Sequence, residues 1–515
     1  MRRIRGLWKL LFGRTTIFIL LILIQIIVLF GGVYVLDEKV IVLNNVVGLI
    51  AAVIIVYLLN IQQNTSFKLM WVIIIVATPV IGVPFYFFVK LQPGTRAIGE
   101  RINSLIVDQE RLLLPDKDTV NRLMIDSGQE YGLFKYLYEE GNYPVHDNSG
   151  AMYFPSGEAK FQELLHQLEK AEDFIFMEYF IVDKGEMWDA VLEILTRKAA
   201  EGVEVRFMYD GTCMMSLLPR NYPNVLEEKG IVCKVFSPMR PFLTTHQNNR
   251  DHRKIVVIDG HTGFTGGVNL ADEYINRRRR FGHWKDTAVM LRGEAVKSFT
   301  LLFLQMWNID EKTKENYHRY MYKPCPHDVG MRFGGYMIPF GDIPYDDEEV
   351  GKKVYLDILN RANEYVHIMT PYLILDEELT NALIFAAQRG IDVKLIVPHI
   401  PDKKYAYFLA RTHYPELIRR GVKIYEYTPG FVHAKVFTCD DEKAVVGTIN
   451  LDFRSLYLHF ECAVYFWKNA IVQDVEEDFQ ETLKQCQRIT LKNCREYSLV
   501  GKICGKALRL VAPLM

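Results

Sequence analysis

Two stretches of this chain carry the same reactive residue types at the same spacing. One reads HRKIVVIDGHTGFTGGVN from His252 to Asn269, and the other reads HAKVFTCDDEKAVVGTIN from His433 to Asn450. In both, one residue separates the His from a Lys, four separate the Lys from an Asp, and six separate the Asp from a Gly. Because five positions match at identical spacing, a shared function explains the two copies better than chance does.

Alternation along a strand indicates how these side chains are presented. Side chains two residues apart lie on the same face of a strand. We therefore expect His252 and Lys254 to project together, and likewise His433 and Lys435. A single HxK would most often be a surface pair on a solvated strand or a packed core His, but two matched copies make that explanation poor.

The rest of each pattern predicts a hairpin with room for a ligand. The apolar run after Lys254 suits a buried strand, and Asp259 and Asp440 fall where a turn into a second strand is expected. Both Asp residues belong to the candidate catalytic set, although a position in a turn also fits a structural role. The second strand would present candidate substrate-binding residues that are small or carry an amide: Gly267, Asn269, Thr448 and Asn450.

The chemistry that fits these residues is phosphoryl transfer without a metal ion or a cofactor. Lys254 and Lys435 would neutralise phosphate oxygens as point charges, and the motif Asn residues would donate hydrogen bonds to them. One His would attack phosphorus and form a covalent phosphohistidine. The other would protonate the leaving alcohol and then deprotonate the incoming one. Either His252 or His433 fits either role.

The pattern HxK(x)4D(x)6G(G/S/T)xN resembles the HKD motif of the phospholipase D superfamily, and two copies behind hydrophobic runs resemble the layout of bacterial cardiolipin synthases. This resemblance implies two phospholipase D-like halves packed about a pseudo-twofold axis, with both motifs at one central site. It also implies phosphatidyl transfer between two molecules of phosphatidylglycerol, an anionic phospholipid, giving cardiolipin and glycerol. Many members have Ser after the motif Gly, whereas this chain has Gly267 and Thr448, so only the second copy keeps a hydroxyl there.

Other functions are compatible with the same motif. A phospholipase D-type hydrolase, or another phosphatidyltransferase such as a phosphatidylserine synthase, would differ only in the acceptor that reaches the phosphohistidine. A nuclease with this motif is disfavoured, because the net charge is −1 and proteins that follow nucleic-acid phosphates usually have basic surfaces. A non-enzymatic membrane scaffold would be expected to lose one copy of the motif, and neither copy is degraded.

The eight cysteines indicate neither a zinc site nor a disulfide framework. None belongs to a CxxC pair, and they are not grouped with His at zinc-ligand spacing. We interpret them as reduced and structural, which favours a cytoplasmic location for the part of the chain that holds them.

Residues 1–90 predict a membrane region with two or three hydrophobic spans. Uncharged runs extend over Ile17–Leu36, Val40–Leu59 and Leu69–Val89, and the third contains Pro and Gly. A cleaved signal peptide is the competing explanation of the first run, which is long for that role and lacks an A-x-A site. Basic residues before the first run and after the third favour an even number of crossings. This predicts a multi-pass protein of the bacterial plasma membrane with a cytoplasmic catalytic part.

The remaining chain predicts a linker at 91–130 and two α/β halves at 131–322 and 323–515. In the first half, DFIFMEYFIV precedes WDAVLEILTRKAAEG and VEVRFMYD; in the second, YVHIMTPYLIL precedes LTNALIFAAQRG and IDVKLIVP. Such strand–helix–strand segments predict mixed, mainly parallel sheets flanked by helices.

Three features outside the motifs have alternative interpretations. The superfamily resemblance implies that an acid downstream of each motif orients a His, which suggests Asp286 and Glu461, although either could be an ordinary exposed carboxylate. The four arginines at 277–280 fit either a contact with anionic lipid or a solvated face. The basic C-terminal tail from Lys484 to Met515 fits either an interfacial amphipathic helix or a helix docked on the domain.

Overall fold

The structure is a computed structural model that describes residues 38–90, 93–238, 248–313, 315–322, 324, 330–346 and 348–514. Contacts divide the chain into an N-terminal unit, which comprises residues up to Ala97 with two short segments, and a larger unit of residues 98–238 and 249–512. The first predicted hydrophobic run, Ile17–Leu36, lies outside the described residues.

The described part of the N-terminal unit is helical, with α1 (Glu38–Asn60), α2 (Thr65–Ala77) and α3 (Pro79–Lys90). Asn64 caps α2, because its side-chain oxygen accepts a hydrogen bond from the N–H of Ser66 at 2.9 Å. Leu58 and Ile75 are fully buried where these helices pack.

The apolar runs of this unit form helices of different lengths. Val40–Leu59 lies within α1, whereas Leu69–Val89 is divided between α2 and α3 at Thr78. The division falls here because Pro79 has no N–H to continue the hydrogen bonds of α2 and instead begins the next helix. Of the helices in the described residues, none has both the length and the apolar composition needed to cross a membrane.

The larger unit contains two sheets and the helices that flank them. The predicted linker is itself helical, and Ile102, Leu113 and Leu123 join it to the buried core. The helices that follow α3 in the chain are α4 (Pro93–Gln109), α5 (Lys117–Ser127), α6 (Tyr131–Glu139), α7 (Gly157–Glu169), α8 (Glu186–Ala200), α9 (Cys213–Ser216), α10 (Tyr222–Glu227), α11 (Val296–Trp307), α12 (Val350–Arg361), α13 (Glu377–Gln388), α14 (Lys404–Arg419), α15 (Phe453–Tyr457), α16 (Ile471–Leu483), α17 (Leu491–Glu496) and α18 (Leu499–Arg509).

The strands form one sheet per half and a small pair between the halves. Those of the first half are β1 (Gly150–Phe154), β2 (Phe174–Tyr179), β3 (Glu204–Asp210), β4 (Val232–Phe236), β5 (Lys254–Ile258), β6 (Thr262–Gly266), β7 (His283–Lys285) and β8 (Ala288–Arg292). Those of the second half are β9 (Tyr336–Asp342), β10 (Tyr365–Met369), β11 (Asp392–Pro398), β12 (Lys423–Tyr427), β13 (Gly430–Val432), β14 (Val436–Cys439), β15 (Lys443–Gly447), β16 (Glu461–Trp467) and β17 (Cys486–Arg488).

The two large sheets repeat one topology. Their strand orders are β1-β8-β6-β5-β2-β3-β4 and β17-β12-β11-β10-β14-β15-β16-β9, while β7 pairs with β13. When the first order is reversed, β4-β3-β2 corresponds to β12-β11-β10, the hairpin β5-β6 to β14-β15, β8 to β16, and β1 to β9. The larger unit therefore contains two halves of one topology, and each motif occupies the same central hairpin of its half.

Both sheets are mixed, as the sequence predicts, but they are mainly antiparallel and not mainly parallel. Parallel pairing within the large sheets is confined to β2-β3-β4 and β10-β11-β12. Crossovers such as α8 and α13 permit those parallel pairs. The motif hairpins and the strands beyond them pair antiparallel. The prediction was wrong because it gave the strand–helix–strand segments more weight than the antiparallel pairs formed by the predicted hairpins and the strands beyond them.

The segment ahead of each motif His is tied to the other half of the chain. Phe460 accepts a backbone hydrogen bond from His252 and donates one to Arg250, both at 2.9 Å. In the corresponding place, the N–H of His433 donates to the carbonyl of Lys285 at 2.7 Å, where β13 meets β7. Each His is thus held beside a segment that leads directly into a strand of the opposite half.

Candidate active site

Both motif histidines lie just ahead of a buried hairpin strand. His252 is 6% exposed and His433 is 7% exposed, so neither is a solvated surface residue. Lys254 and Lys435 are more deeply buried still. The two copies of the motif therefore contribute buried imidazoles and ammonium groups.

Each His contacts an acid from the opposite half of the chain. Nδ1 of His252 lies 2.9 Å from both carboxylate oxygens of Glu461, and Nδ1 of His433 lies 2.7 Å from Oδ2 of Asp286. Both carboxylates are fully buried. An imidazole that donates its Nδ1–H to a carboxylate keeps a lone pair on Nε2, which is the nitrogen then able to attack phosphorus.

Burial keeps the two imidazoles neutral, whereas contacts with neighbouring histidines keep the acid beside His252 ionised. It lowers the pKa of His252 well below its ordinary value, although Glu461 opposes the shift. Burial and the charge of Lys435 lower the pKa of His433 to about 4. Burial alone would raise the pKa of Glu461, but its contacts with His252 and His459 hold that pKa below its ordinary value. Neutral His paired with carboxylate is the state a nucleophile or a general base requires.

The two motif lysines share one electrostatic environment. Each ammonium donates to the backbone carbonyl of its own motif His, and Nζ of Lys435 lies 2.9 Å from Nδ1 of His433. Burial lowers the pKa of Lys254 to about 8 and that of Lys435 to about 7, and the charge of Lys254 adds to the shift of Lys435. A phosphate bound between these lysines would offset their repulsion and restore their protons.

The motif Asp residues, which we included in the catalytic set, stabilise turns instead. Asp259 accepts hydrogen bonds at 2.7 to 2.8 Å from the backbone N–H groups at positions 172 to 174. Asp440 accepts equivalent bonds at 2.7 to 2.9 Å from positions 363 to 365. Both adopt positive φ, and both hold the start of the neighbouring strand, β2 or β10. Their carboxylates are thus fully engaged away from the His–acid pairs.

The two motif Asn residues are placed differently. Asn269 accepts a hydrogen bond from the N–H of Ile181 at 3.0 Å and donates one to the hydroxyl of Tyr274 at 2.8 Å. Its amide oxygen and one amide hydrogen are therefore bonded within the protein, and its role in substrate binding stays a prediction. Asn450 is buried, and its Oδ1 has no hydrogen-bond partner among the described residues.

The residues after the motif Gly lie beside the two acids that contact the histidines. A Cβ on Gly267 would lie 1.9 Å from Oδ1 of Asp286, so any side chain there would displace that carboxylate. The hydroxyl of Thr448 donates a hydrogen bond to Oε2 of Glu461 and accepts one from the N–H of Cys462 at 3.0 Å. Gly267 and Thr448 thus lie against the acids that contact the histidines, and their contact with a substrate stays a prediction.

Sequence reasoning missed a third imidazole at this site, His459. Its ring centroid lies 5.5 Å from that of His252, and its Nδ1 is 3.8 Å from Oε1 of Glu461. His459 is buried, and neither of its ring nitrogens has a hydrogen-bond partner among the described residues. The sequence could have indicated His459, because it lies two residues before the candidate acid Glu461. Ligand atoms of His252, His459 and Glu461 lie within 4.8 Å of one another, a spacing that could hold a metal ion.

Aromatic rings enclose the two histidines unequally. Phe180 packs edge-on against His252 with ring centroids 4.9 Å apart. His433 lies against three rings, with centroid distances of 5.2 to 5.9 Å: Tyr274, Trp284 and Phe431. Phe431 also lines a partly open pocket together with Tyr372.

The arginine run at 277–280 is partly engaged at the surface. Arg277 pairs with Glu186 at 3.0 Å and Arg278 with Asp183 at 2.8 Å, and both Arg side chains are exposed. These pairs fit a solvated face better than a free anion-binding patch.

Comparison with known proteins identifies the same halves. A family model described as "Cardiolipin synthase, PLD-like domain" matches residues 164–307 and 355–483, and one described as "Phospholipase_D-nuclease N-terminal" matches residues 46–90. The crystal structure of phosphatidylserine synthase from Haemophilus influenzae aligns with a TM-score of 0.54 at 13% identity, covering 72% of this chain and 98% of that one. At that identity the likeness concerns the fold alone.

Curated relatives extend the match over most of the chain. An uncharacterised protein of Streptococcus mutans is 50% identical over 465 residues, covering 90% of this chain and 99% of that one. A cardiolipin synthase of Alkalihalophilus pseudofirmus is 33% identical, covering 88% and 90%, and one of Geobacillus kaustophilus is 34% identical, covering 86% and 88%. The chain has two complete motifs in two halves of one topology, and it shares about a third of its positions with these two cardiolipin synthases. It therefore belongs to the cardiolipin synthase family of the phospholipase D superfamily.

Proposed function

We propose that this protein joins two molecules of phosphatidylglycerol into cardiolipin and releases glycerol. The observation that carries the proposal is the exchange of acids between the halves, with Glu461 on His252 and Asp286 on His433. A single site shared by both motifs is further supported by the charge of Lys254, which lowers the pKa of His433 and that of Lys435. A reaction that needs a nucleophile and a separate acid–base group at one phosphorus requires this arrangement.

In the first step, Nε2 of one histidine attacks the phosphorus of a phosphatidylglycerol. An N–P bond forms and the bond from phosphorus to the glycerol oxygen breaks, while the other histidine delivers a proton to that oxygen. This second imidazole must be protonated when substrate is bound, and the negative phosphate favours that by raising its pKa. Lys254 and Lys435 neutralise the phosphate oxygens.

In the second step, the histidine that lost its proton removes one from a hydroxyl of a second phosphatidylglycerol. The resulting alkoxide oxygen attacks the phosphohistidine, the N–P bond breaks, and cardiolipin forms. Burial of the site keeps water from competing as the acceptor. No metal ion or cofactor is needed for either step.

The protein works at the bacterial plasma membrane in this proposal, as a multi-pass protein with its catalytic part on the cytoplasmic side. Support comes from the apolar surface of α1, where Leu49, Val53 and Leu59 are each more than three-fifths exposed. Apolar surface of this extent is costly in water and suits lipid contact. Labelling of introduced cysteines in intact cells and in inverted vesicles tests the side; labelling of an exposed position such as Lys229 from outside the cell would reject the cytoplasmic placement.

The activity test uses the purified full chain in vesicles of phosphatidylglycerol labelled separately in the headgroup glycerol and in the phosphate. We expect cardiolipin and free glycerol in equal amounts. Phosphatidic acid with glycerol would instead identify a hydrolase, and product formed only when serine or another alcohol is added would identify a different phosphatidyltransferase. Either result would reject cardiolipin synthesis while keeping the phosphohistidine mechanism.

A further inference from the structure

The C-terminal helix α18 (Leu499–Arg509) leaves an apolar face uncovered. Four large apolar side chains are exposed by 51 to 71%, and their spacing places them on one side of a helix with 3.6 residues per turn: Leu499, Val500, Ile503 and Leu510. An apolar stripe of this kind normally faces a core, and here it faces outward.

The opposite face of α18 explains why the apolar face is outward. That face carries Gly501 and Gly505, both buried. A Cβ on Gly505 would lie 2.5 Å from the backbone oxygen of Phe408 in α14, and a Cβ on Gly501 would lie 2.7 Å from the ring of Tyr497. Arg411 of α14 stacks on Tyr497 at 4.3 Å. The helix is therefore docked through its glycines, and rotating its apolar side inward would break this close contact.

Basic residues surround the exposed apolar face. Lys506 and Arg509 are exposed beside it, and Lys502 lies on the same flank. From Lys484 to the C-terminus there are seven basic residues and one acidic residue, whereas the whole chain has a net charge of −1. A helix with apolar residues on one side and cations beside them matches the acyl–headgroup boundary of an anionic bilayer.

We propose that α18 is an interfacial helix that rests the larger unit on the surface of an anionic membrane, with Leu499, Ile503 and Leu510 in the acyl boundary and Lys506 and Arg509 at the lipid phosphates. The sequence left open whether the basic C-terminal tail is an interfacial amphipathic helix or a helix docked on the domain. In this proposal both hold, because one side of the helix docks on the protein while the other contacts lipid. This contact is separate from any contact made by the N-terminal unit.

The direct test is quenching of a tryptophan by brominated acyl chains, with the full chain reconstituted in phosphatidylglycerol vesicles. The variant I503W should show quenching well above that of the parent protein, which has six native tryptophans. The control is F385W, on α13, because Phe385 is a similarly exposed apolar helix residue that lies against Arg389, and no other large apolar side chain of α13 is exposed. Position 385 should show no added quenching. Absence of added quenching at 503 would overturn the proposal whatever reaction the protein catalyses.

A second measurement separates the surface from the catalytic site. I503E should lower turnover of phosphatidylglycerol in vesicles by about fivefold or more, because it places a carboxylate in the acyl boundary of an anionic membrane. The double variant K506Q/R509Q should lower it by about 25-fold, since each cation near an anionic surface is worth about fivefold. Turnover of a short-chain, water-soluble phosphatidylglycerol and the melting temperature should stay at the parent values. If I503E left vesicle turnover intact but reduced self-association in sedimentation, the face would be an interface between copies of this chain and the proposal would fail.

Discussion

The two histidine sites are built on the same hairpin but are supported differently. His252 contacts the longer acid Glu461, and the hydroxyl of Thr448 donates to that acid. His433 contacts the shorter acid Asp286, which approaches the motif strand so closely that only Gly fits at 267. Each acid and the residue after the motif Gly are therefore matched in size within one half.

This difference explains the departure of the first motif from the Ser-containing pattern. A hydroxyl at 267 would occupy the space that the Asp286 carboxylate uses, whereas a carboxylate one methylene longer at 461 leaves room for Thr448. The lesson is that this position serves the acid that orients the His of the other half. Its residue type can therefore be interpreted only together with that acid.

The largest effects are expected from the histidines themselves. H252A and H433A should each lower turnover by about 10⁴-fold or more, because nucleophile and general acid–base group act as one unit. The two variants should differ in trapping, since only the one that keeps the nucleophile can form an acid-labile phosphatidyl adduct with labelled substrate. H318A, at an exposed His, should remain fully active. Near-normal turnover in both H252A and H433A would contradict the mechanism.

Exchanging the acids for amides should have the next largest effect. E461Q and D286N keep the size of the side chain but remove the charge that selects the Nδ1–H tautomer, so we expect losses of about 10²- to 10⁴-fold in kcat. Each variant should impair the role of the His in the opposite half. An E461Q protein with the trapping behaviour of H433A, and not that of H252A, would show that the acids do not act as the geometry indicates.

The matched residues beside the acids allow a sharper comparison. G267A should lower kcat by about 10- to 100-fold, because its Cβ would displace the Asp286 carboxylate by more than the small misplacement that reacting groups tolerate. T448S keeps the hydroxyl and should stay within about twofold, while T448V should lose about tenfold for want of one hydrogen bond to a charged group. Equal activity of G267A and the parent would remove the size-matching argument.

The pH dependence of kcat/KM tests the two lysines. Because burial lowers the pKa of Lys435 to about 7 and of Lys254 to about 8, free enzyme loses positive charge as pH rises through that range, and kcat/KM should fall there. If His433 is the nucleophile, kcat/KM should also fall below about pH 4, because a protonated imidazole cannot attack phosphorus. In K435R, the fall of kcat/KM at alkaline pH should begin at least about one pH unit higher, although the maximum kcat/KM of this variant will be lower than that of the parent. An unchanged alkaline limb would mean that another group titrates there.

The smallest effect on catalysis is expected at the two turn residues. D259N and D440N should keep kcat per folded molecule but lose about 1 to 3 kcal/mol of stability, since each carboxylate accepts three backbone N–H bonds. D259N should be the more damaging because Asp259 is buried and Asp440 is only partly so. A loss of kcat with an unchanged melting temperature would return these residues to the catalytic set.

Much of the architecture follows from local patterns in the sequence, and the rest depends on contacts that no local pattern contains. The hairpins were predictable, because alternation, an apolar run and a turn Asp lie within eighteen residues. The balance of antiparallel and parallel pairs was not, because it depends on which distant strands become neighbours, as β1 and β8 do and as β9 and β16 do. The engagement of Asn269 by Tyr274 and Ile181 and the approach of His459 to His252 likewise depend on tertiary contacts.

Asp286 and Glu461 lie between these cases. A downstream acid in each half was predictable by resemblance, but the partner of each acid was not, because nothing in the spacing shows that Asp286 meets His433 and not His252. The backbone contacts of Phe460 and Lys285 with the segments ahead of the histidines decide that pairing.

Because each acid contacts the histidine of the other repeat, substitutions in one repeat constrain which substitutions the other can accept. A substitution at the start of β16 should first affect His252, and a substitution beside β7 should first affect His433. Either repeat expressed as a separate polypeptide would lack the group that sets the tautomer of its own imidazole. Mixing the two polypeptides should restore turnover only where they reassociate, and a heritable defect in one repeat could be relieved by a substitution in its twin.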